Sequence, residues 1–198
     1  MLRAVAGDPA QLQIMYGAAG ERRLTEMELD WLPGYEGSTP VRIGNAASEQ
    51  FQLDVYGEVL DALYQSRRAG LPPDEHVWRL ERLLVEFVAD AWKEPDEGIW
   101  EIRGPRQHFT HSKIMAWVAV DRAVRSVEEF DQQGPVERWR VLRDEIKADV
   151  LANGVDAERQ VLVQHYETEE LDASLLMAPL VGFLEPDDPI VANTVAAI

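Results

Sequence analysis

Apolar residues recur at helical spacing along most of the chain, and successive stretches differ in how much of the helix surface they cover. Over residues 51–68, Leu53, Val55, Tyr56, Val59, Leu60, Ala62 and Leu63 surround most of a helix and leave Asp54, Glu58 and Asp61 on one acidic stripe. After Gly70 and Pro72-Pro73, Asp74 caps a second helix to about residue 93. Its Val77, Leu80, Leu83, Leu84, Phe87, Val88 and Ala91 form a single stripe with a wet opposite face. A third helix, 111–130, contains the run Ile114-Met115-Ala116-Trp117-Val118-Ala119-Val120, apolar all round and therefore central. Pro135 starts a fourth, to about residue 151, again one-sided through Val136, Trp139, Leu142, Ile146 and Val150.

The remaining segments are shorter or irregular. Residues 1–6 read as the last turn of a helix stopped by Gly7-Asp8-Pro9. Between residues 11 and 50 no period is sustained and Gly and Pro are frequent, which predicts a long ordered loop with short extended pieces. Residues 161–166 read as extended, 171–183 as helix, and Pro186-Asp187-Asp188-Pro189 as the cap of a last helix cut at Ile198. Buried and one-sided helices thus alternate. Two concentric rings satisfy that order, with inner helices touching neighbours and outer ring alike. An open superhelix of helix pairs is the alternative, but no fixed-period repeat favours it. The expected fold is all-α, a toroid of paired helices, as one domain over residues 1–198.

Composition narrows the function. The formal net charge of −17 repels nucleic acid and anionic membrane surfaces, which need clustered Lys and Arg, and leaves neutral ligands unaffected. With no cysteine, thiolate nucleophiles and Cys-ligated metals are excluded. No apolar run reaches spanning length and the start does not read as a signal peptide, so a soluble cytoplasmic protein is expected.

Chemistry concentrates in residues 98–113, where Trp100-Glu101 precedes a Gly104-Pro105 turn and the cluster His108-Phe109-Thr110-His111. An indole beside Glu101 would disfavour the ionised carboxylate and suit it to donate a proton, as glycosidic cleavage requires. The competing reading is that Glu101 only pairs with Arg103 or Arg106. His108 and His111 lack a third nearby ligand, and no metal or cofactor is expected. Trp31, Tyr35 and Trp100 suit stacking on sugar faces, or packing. Arg42, Asn45, Gln52 and Asp54 suit hydrogen bonds to sugar hydroxyls, or a loop held by its own polar network.

Gly98-Ile99-Trp100-Glu101-Ile102-Arg103-Gly104 and His108-Phe109-Thr110-His111-Ser112-Lys113 resemble the general-acid region of glycoside hydrolase family fifteen, the glucoamylase and bacterial trehalase group. Trp31-Leu32-Pro33-Gly34-Tyr35-Glu36-Gly37-Ser38, Pro40-Val41-Arg42-Ile43-Gly44-Asn45-Ala46-Ala47, Gln52-Leu53-Asp54-Val55-Tyr56-Gly57-Glu58 and Leu171-Asp172-Ala173-Ser174 resemble the same family. The resemblance implies an (α/α)6 toroid of the glucoamylase type and hydrolysis, with inversion, of a terminal α-glucosidic bond in trehalose, maltose or an α-glucan. It implies Glu101 as general acid, with Trp31, Tyr35, Arg42, Asn45, Gln52, Asp54, Trp100, Arg103 and His108 as candidate substrate contacts.

Neither the family's Ser-Glu-Glu-type general-base motif nor its early Trp-x-Arg-Asp motif occurs in these residues. The expectation is therefore an incomplete toroid without the family's N-terminal β-sandwich, inactive alone and prone to self-association through exposed helix flanks. The alternative is a non-catalytic helical module that binds sugar or a partner chain.

Overall fold

The computed structural model describes residues 8–72 and 74–198, and these fall into two compact units that divide between residues 51 and 52. The expected turn over residues 1–6 lies outside the described residues.

In the first unit the long loop is ordered by short local devices. Two-residue strands β1 (Met27–Glu28) and β2 (Arg42–Ile43) pair antiparallel. Single 3-10 turns form at Pro9–Gln11, Tyr35–Gly37 and Ala46–Glu49. Gly44 lies at φ +74, and a Cβ there would meet the Thr25 carbonyl at 2.1 Å, so only glycine lets the chain close on that strand.

The second unit is built on four helices, α1 (Asp54–Arg68), α2 (Glu75–Ala91), α3 (Thr110–Phe130) and α4 (Val136–Asn153). As the apolar run requires, α3 is central, with every residue from Thr110 to Val124 buried. It packs against α1, α2 and α4. The approach of α1 is close because Gly57 has no side chain: a Cβ there would stand 2.2 Å from the Met115 carbonyl oxygen. The outer helices meet edge to face through Trp78 and Trp139, ring centroids 6.1 Å apart, and the Trp78 indole donates to the Gln133 carbonyl at 2.9 Å.

Charged groups inside this packing are paired. Arg67 of α1 reaches Glu81 of α2 and, at 3.1 Å, the Ser126 hydroxyl of α3. Arg122 of α3 contacts Asp61 at 2.5 Å and Asp121 at 2.6 Å, and donates to the Val181 carbonyl at 2.9 Å. These bonds supply the compensation that buried charge needs.

Downstream, β3 (Val155–Asp156) and β4 (Val161–Leu162) form a two-residue antiparallel ladder, so the extended reading of 161–166 holds at its start. The helix expected over 171–183 does not form as one piece. Asp172 caps a 3-10 turn, Ala173–Leu176, followed by one turn of α-helix, α5 (Met177–Leu180), which ends before Gly182 at φ +80. The last helix, α6 (Pro189–Ala197), is capped by Asp188, as expected. Among the described residues no helix is long and apolar enough to cross a membrane.

Two burial patterns differ from expectation. On α2, Leu83 is exposed, and Trp78, Leu80, Glu81, Leu84, Val85 and Val88 make the buried face, because Arg67 brings the charged Glu81 inward. On α1 the acidic stripe splits: Asp54 is buried, Asp61 meets Arg122, and Glu58 stays exposed.

Candidate active site

Glu101 sits in a connection between α2 and α3 that is tied at both ends. Asp96 and Gln107 exchange backbone hydrogen bonds, at 3.0 and 2.9 Å, closing the base of the loop. Lys113, fully buried in the first turn of α3, donates its ammonium to the carbonyls of Trp92 and, at 2.7 Å, Glu94. Burial pushes the Lys113 amine down to about 8, opposed by the charges of Asp96, Asp149 and Glu94.

Within the loop, Gly98 at φ +69 leaves room for the Phe109 ring, 2.6 Å from where a Cβ would stand. Glu101 follows at φ +52, its N–H directed to the Gly98 carbonyl at 3.3 Å. A non-glycine residue in the left-handed region is uncommon, and such strain clusters at functional sites. The turn leaves Glu101 half-buried rather than enclosed.

The neighbouring side chains partly redirect the expectations. The Trp100 indole donates to Asp172 at 2.7 Å while more than half of the residue stays exposed. Of the two arginines considered as partners for Glu101, Arg106 forms an ion pair with Glu97 at 3.0 Å; Arg103 lies exposed on the same turn. His108 stacks on Tyr166 with centroids 5.7 Å apart. Both line a cavity of about 870 Å³, with Trp92, Lys113 and Asp149, whose lining does not include Glu101. Burial and then the Lys113 charge push the His108 imidazole below its ordinary pKa. His111 is buried with Nδ1 unpartnered, and burial pushes it down to about 4, so it is neutral near pH 7.

At the start of α1, Gln52 and Asp54 are both buried. Burial first, then the charges of Asp96 and Glu58, raise the Asp54 carboxyl to about 7. Asp96 is itself raised by burial, although it accepts the Leu53 N–H at 2.9 Å.

In the first unit Trp31 and Tyr35 are 75% and 84% exposed, so neither pins the loop by packing. Arg42 pairs with Glu28 at 2.8 Å and with Glu26 at 3.4 Å. Asn45 accepts the Ala47 N–H at 2.9 Å and starts a 3-10 turn. Both polar side chains therefore hold their own loop together.

Residues not singled out from sequence complete the picture. Asp96, Lys113, Gln164 and Asp172 fix the loop and its aromatic. Lys113 carried a signal, a lysine entering an apolar run, and Asp172 carried another, its place in a recognisable motif. Among the described residues no group of three or more His, Asp or Glu side chains could hold a metal ion.

The family model of the glycosyl hydrolases family 15 matches residues 1–198. A trehalase of Mycobacterium tuberculosis is 49% identical over 187 residues, covering 94% of this chain and 27% of the relative. A trehalase of Thermoplasma volcanium is 33% identical over 188 residues, 95% of this chain and 30% of the relative. This chain thus spans under a third of the length of these relatives. Among solved structures, one titled "Glycosidase E335A in complex with glucose" superposes with a TM-score of 0.67 at 24% identity, covering 84% of this chain and 46% of that one. That likeness shows the fold: these helices are part of an (α/α)6 toroid.

Proposed function

The chain belongs to family 15 of the glycosyl hydrolases, and from that premise we propose that it carries the proton-donating half of an inverting α-glucosidase acting on trehalose. Glu101 donates a proton to the departing glucosyl oxygen. The carboxylate that activates water on the opposite face is not supplied by residues 1–198. Inversion requires such a pair, at about 6.5–9.5 Å, with room between for the attacking water.

The observation that carries the reading is the conformation of Glu101. It occupies a left-handed turn in a loop tied by Asp96, Gln107 and Lys113, which fixes the residue that carries the carboxyl at a cost in backbone strain. Trehalose is favoured over α-glucan because the relatives matched by sequence are trehalases. The exposed ring of Trp100 offers a flat apolar surface beside Glu101, suited to a pyranose face.

The test is a chimera in which this chain replaces the matched 187-residue segment of the M. tuberculosis trehalase. Glucose release from trehalose is expected from the chimera. Glu101→Gln in the chimera is expected to lower kcat on the order of 10²–10⁴-fold, the usual contribution of a positioned acid. An unchanged rate in that variant would exclude Glu101 as the acid. Robust turnover by the 198-residue chain alone would show instead that both carboxylates lie within it.

A further inference from the structure

Three N–H groups converge on the carboxylate of Asp172. Its Oδ2 accepts the Trp100 indole at 2.7 Å and the Gln164 side-chain amide at 3.1 Å, and its Oδ1 accepts the Ser174 backbone N–H at 2.7 Å. The residue is 7% exposed. All three partners are donors, so the site requires two acceptor oxygens and no hydrogen of its own. Aspartate meets that requirement. Asparagine offers one oxygen, and its amide would face donors on whichever side it turned.

The local fold explains why these groups meet. Gln164 lies in a bend just after β4, where its carbonyl accepts the Thr110 N–H at the start of α3 and its own N–H reaches the Glu170 carbonyl. Asp172 stands at the cap of the following 3-10 turn. Trp100 arrives from the separate loop between α2 and α3, 72 residues earlier in the chain. Its indole N–H is held by Asp172, while more than half of the residue is open to solvent.

We propose that Asp172 is a positioning residue for the Trp100–Glu101 turn, fixing through the indole N–H the face that the Trp100 ring presents to a pyranose bound beside Glu101. This rests on the reading of Glu101 as proton donor. A ring tethered at its nitrogen and otherwise open is a pre-ordered platform, so sugar binding does not have to restrict a free side chain. The bond is charge-assisted at neutral pH. Burial pushes the Asp172 carboxyl up, but the Ser174, Gln164 and Trp100 bonds outweigh it and hold the group below the ordinary carboxylate range. His111, the neighbouring titratable group whose positive charge would lower it further, is buried and neutral there and so adds no charge.

The experiment is ¹H–¹⁵N NMR of the full 198-residue chain, whose six tryptophans give separate indole signals, with Trp100 assigned from Trp100→Phe. The Trp100 indole proton is expected downfield, and to move only when acid protonates Asp172, below the usual carboxylate pH. In Asp172→Asn it moves to the position of an unbonded indole and the Glu101 amide signal shifts with it, while the core Trp117 and Trp139 indoles stay in place. Unchanged Trp100 and Glu101 signals in that variant would reduce Asp172 to a turn cap and overturn the proposal. Should Asp172→Asn fail to fold, Trp100→Phe decides: losing the donor must raise the Asp172 carboxyl pKa read by ¹³C, and no rise overturns the proposal. Added trehalose tests the other reading separately. A Trp100 signal that depends on Asp172 but ignores trehalose supports the positioning link and removes the sugar.

Discussion

The backbone N–H of Leu53 is held by Asp96 Oδ2 at 2.9 Å, joining the start of α1 to the base of the Glu101 loop. Leu53 is fully buried and Asp96 nearly so, so no water can replace the acceptor. Asp96→Ala should leave that amide unsatisfied and cost about 1–3 kcal/mol. For a chain of this size each kcal/mol lowers Tm by roughly 2–4 °C. Asp96→Asn retains an acceptor oxygen and should recover most of the loss. Urea unfolding of the two variants separates them, and equal destabilisation would show that the carboxylate charge, not the bond to Leu53, matters.

Asp54 gives stability a pH dependence of definite sign. Its carboxyl is raised to about 7 in the folded chain, from an ordinary value of 3.8. Between these values the folded state holds a proton that the unfolded chain has lost, so stability falls as pH rises from about 4 to about 7 and levels off above. The slope from this group is at most about 1.4 kcal/mol per pH unit. Asp54→Asn should remove that part of the slope and be more stable than the parent above pH 7. Denaturant melts at four pH values across the window check this; a parallel pair of curves would place the proton elsewhere.

The helical skeleton was legible where side chains meet neighbours in the same element. The run from Ile114 to Val120 demanded a central helix, and Trp139, Leu142, Ile146 and Val150 demanded a one-sided one; both are found. Glu81 and Leu83 exchange their expected places because Arg67, on another helix, decides which is buried, and periodicity within α2 carries no trace of it. The candidate site divides in the same way. Glu101 was visible through a local motif. Asp172 acts on a residue 72 positions away, and Asp96 on one 43 positions away, and such pairings exist only after folding.

Gly98 should not tolerate a side chain. Its φ of +69 costs an L-residue about 1–2 kcal/mol, and a Cβ would stand 2.6 Å from the Phe109 ring. Gly98→Ala is therefore expected to destabilise by more than the backbone term alone, and to alter the fluorescence of the neighbouring Trp100. Pairing it with Phe109→Leu should relieve the steric part and leave the backbone part. A double-mutant cycle on unfolding free energies measures the difference. Strict additivity would mean that the ring moves aside without cost.

Arg67 and Glu81 form an ion pair with both side chains almost wholly buried, at the junction of α1, α2 and the Ser126 hydroxyl of α3. Removing one partner strands the other charge, so Glu81→Leu should cost about 3–5 kcal/mol, whereas Arg67→Met with Glu81→Leu should cost much less than the sum of the single changes. Arg67→Met alone has a distinguishing pH signature. Burial already raises the Glu81 carboxyl, and Arg67 opposes that rise. Without the guanidinium, Glu81 keeps its proton to higher pH when folded than when unfolded, so this variant should lose stability as pH rises above the ordinary glutamate range. Unfolding curves at pH 5 and pH 8 decide the point. A penalty equal at both would mean that the bonds of Arg67 to Ser126 and the stacking of its guanidinium on Trp78, 5.4 Å from the ring centroid, outweigh the ion pair.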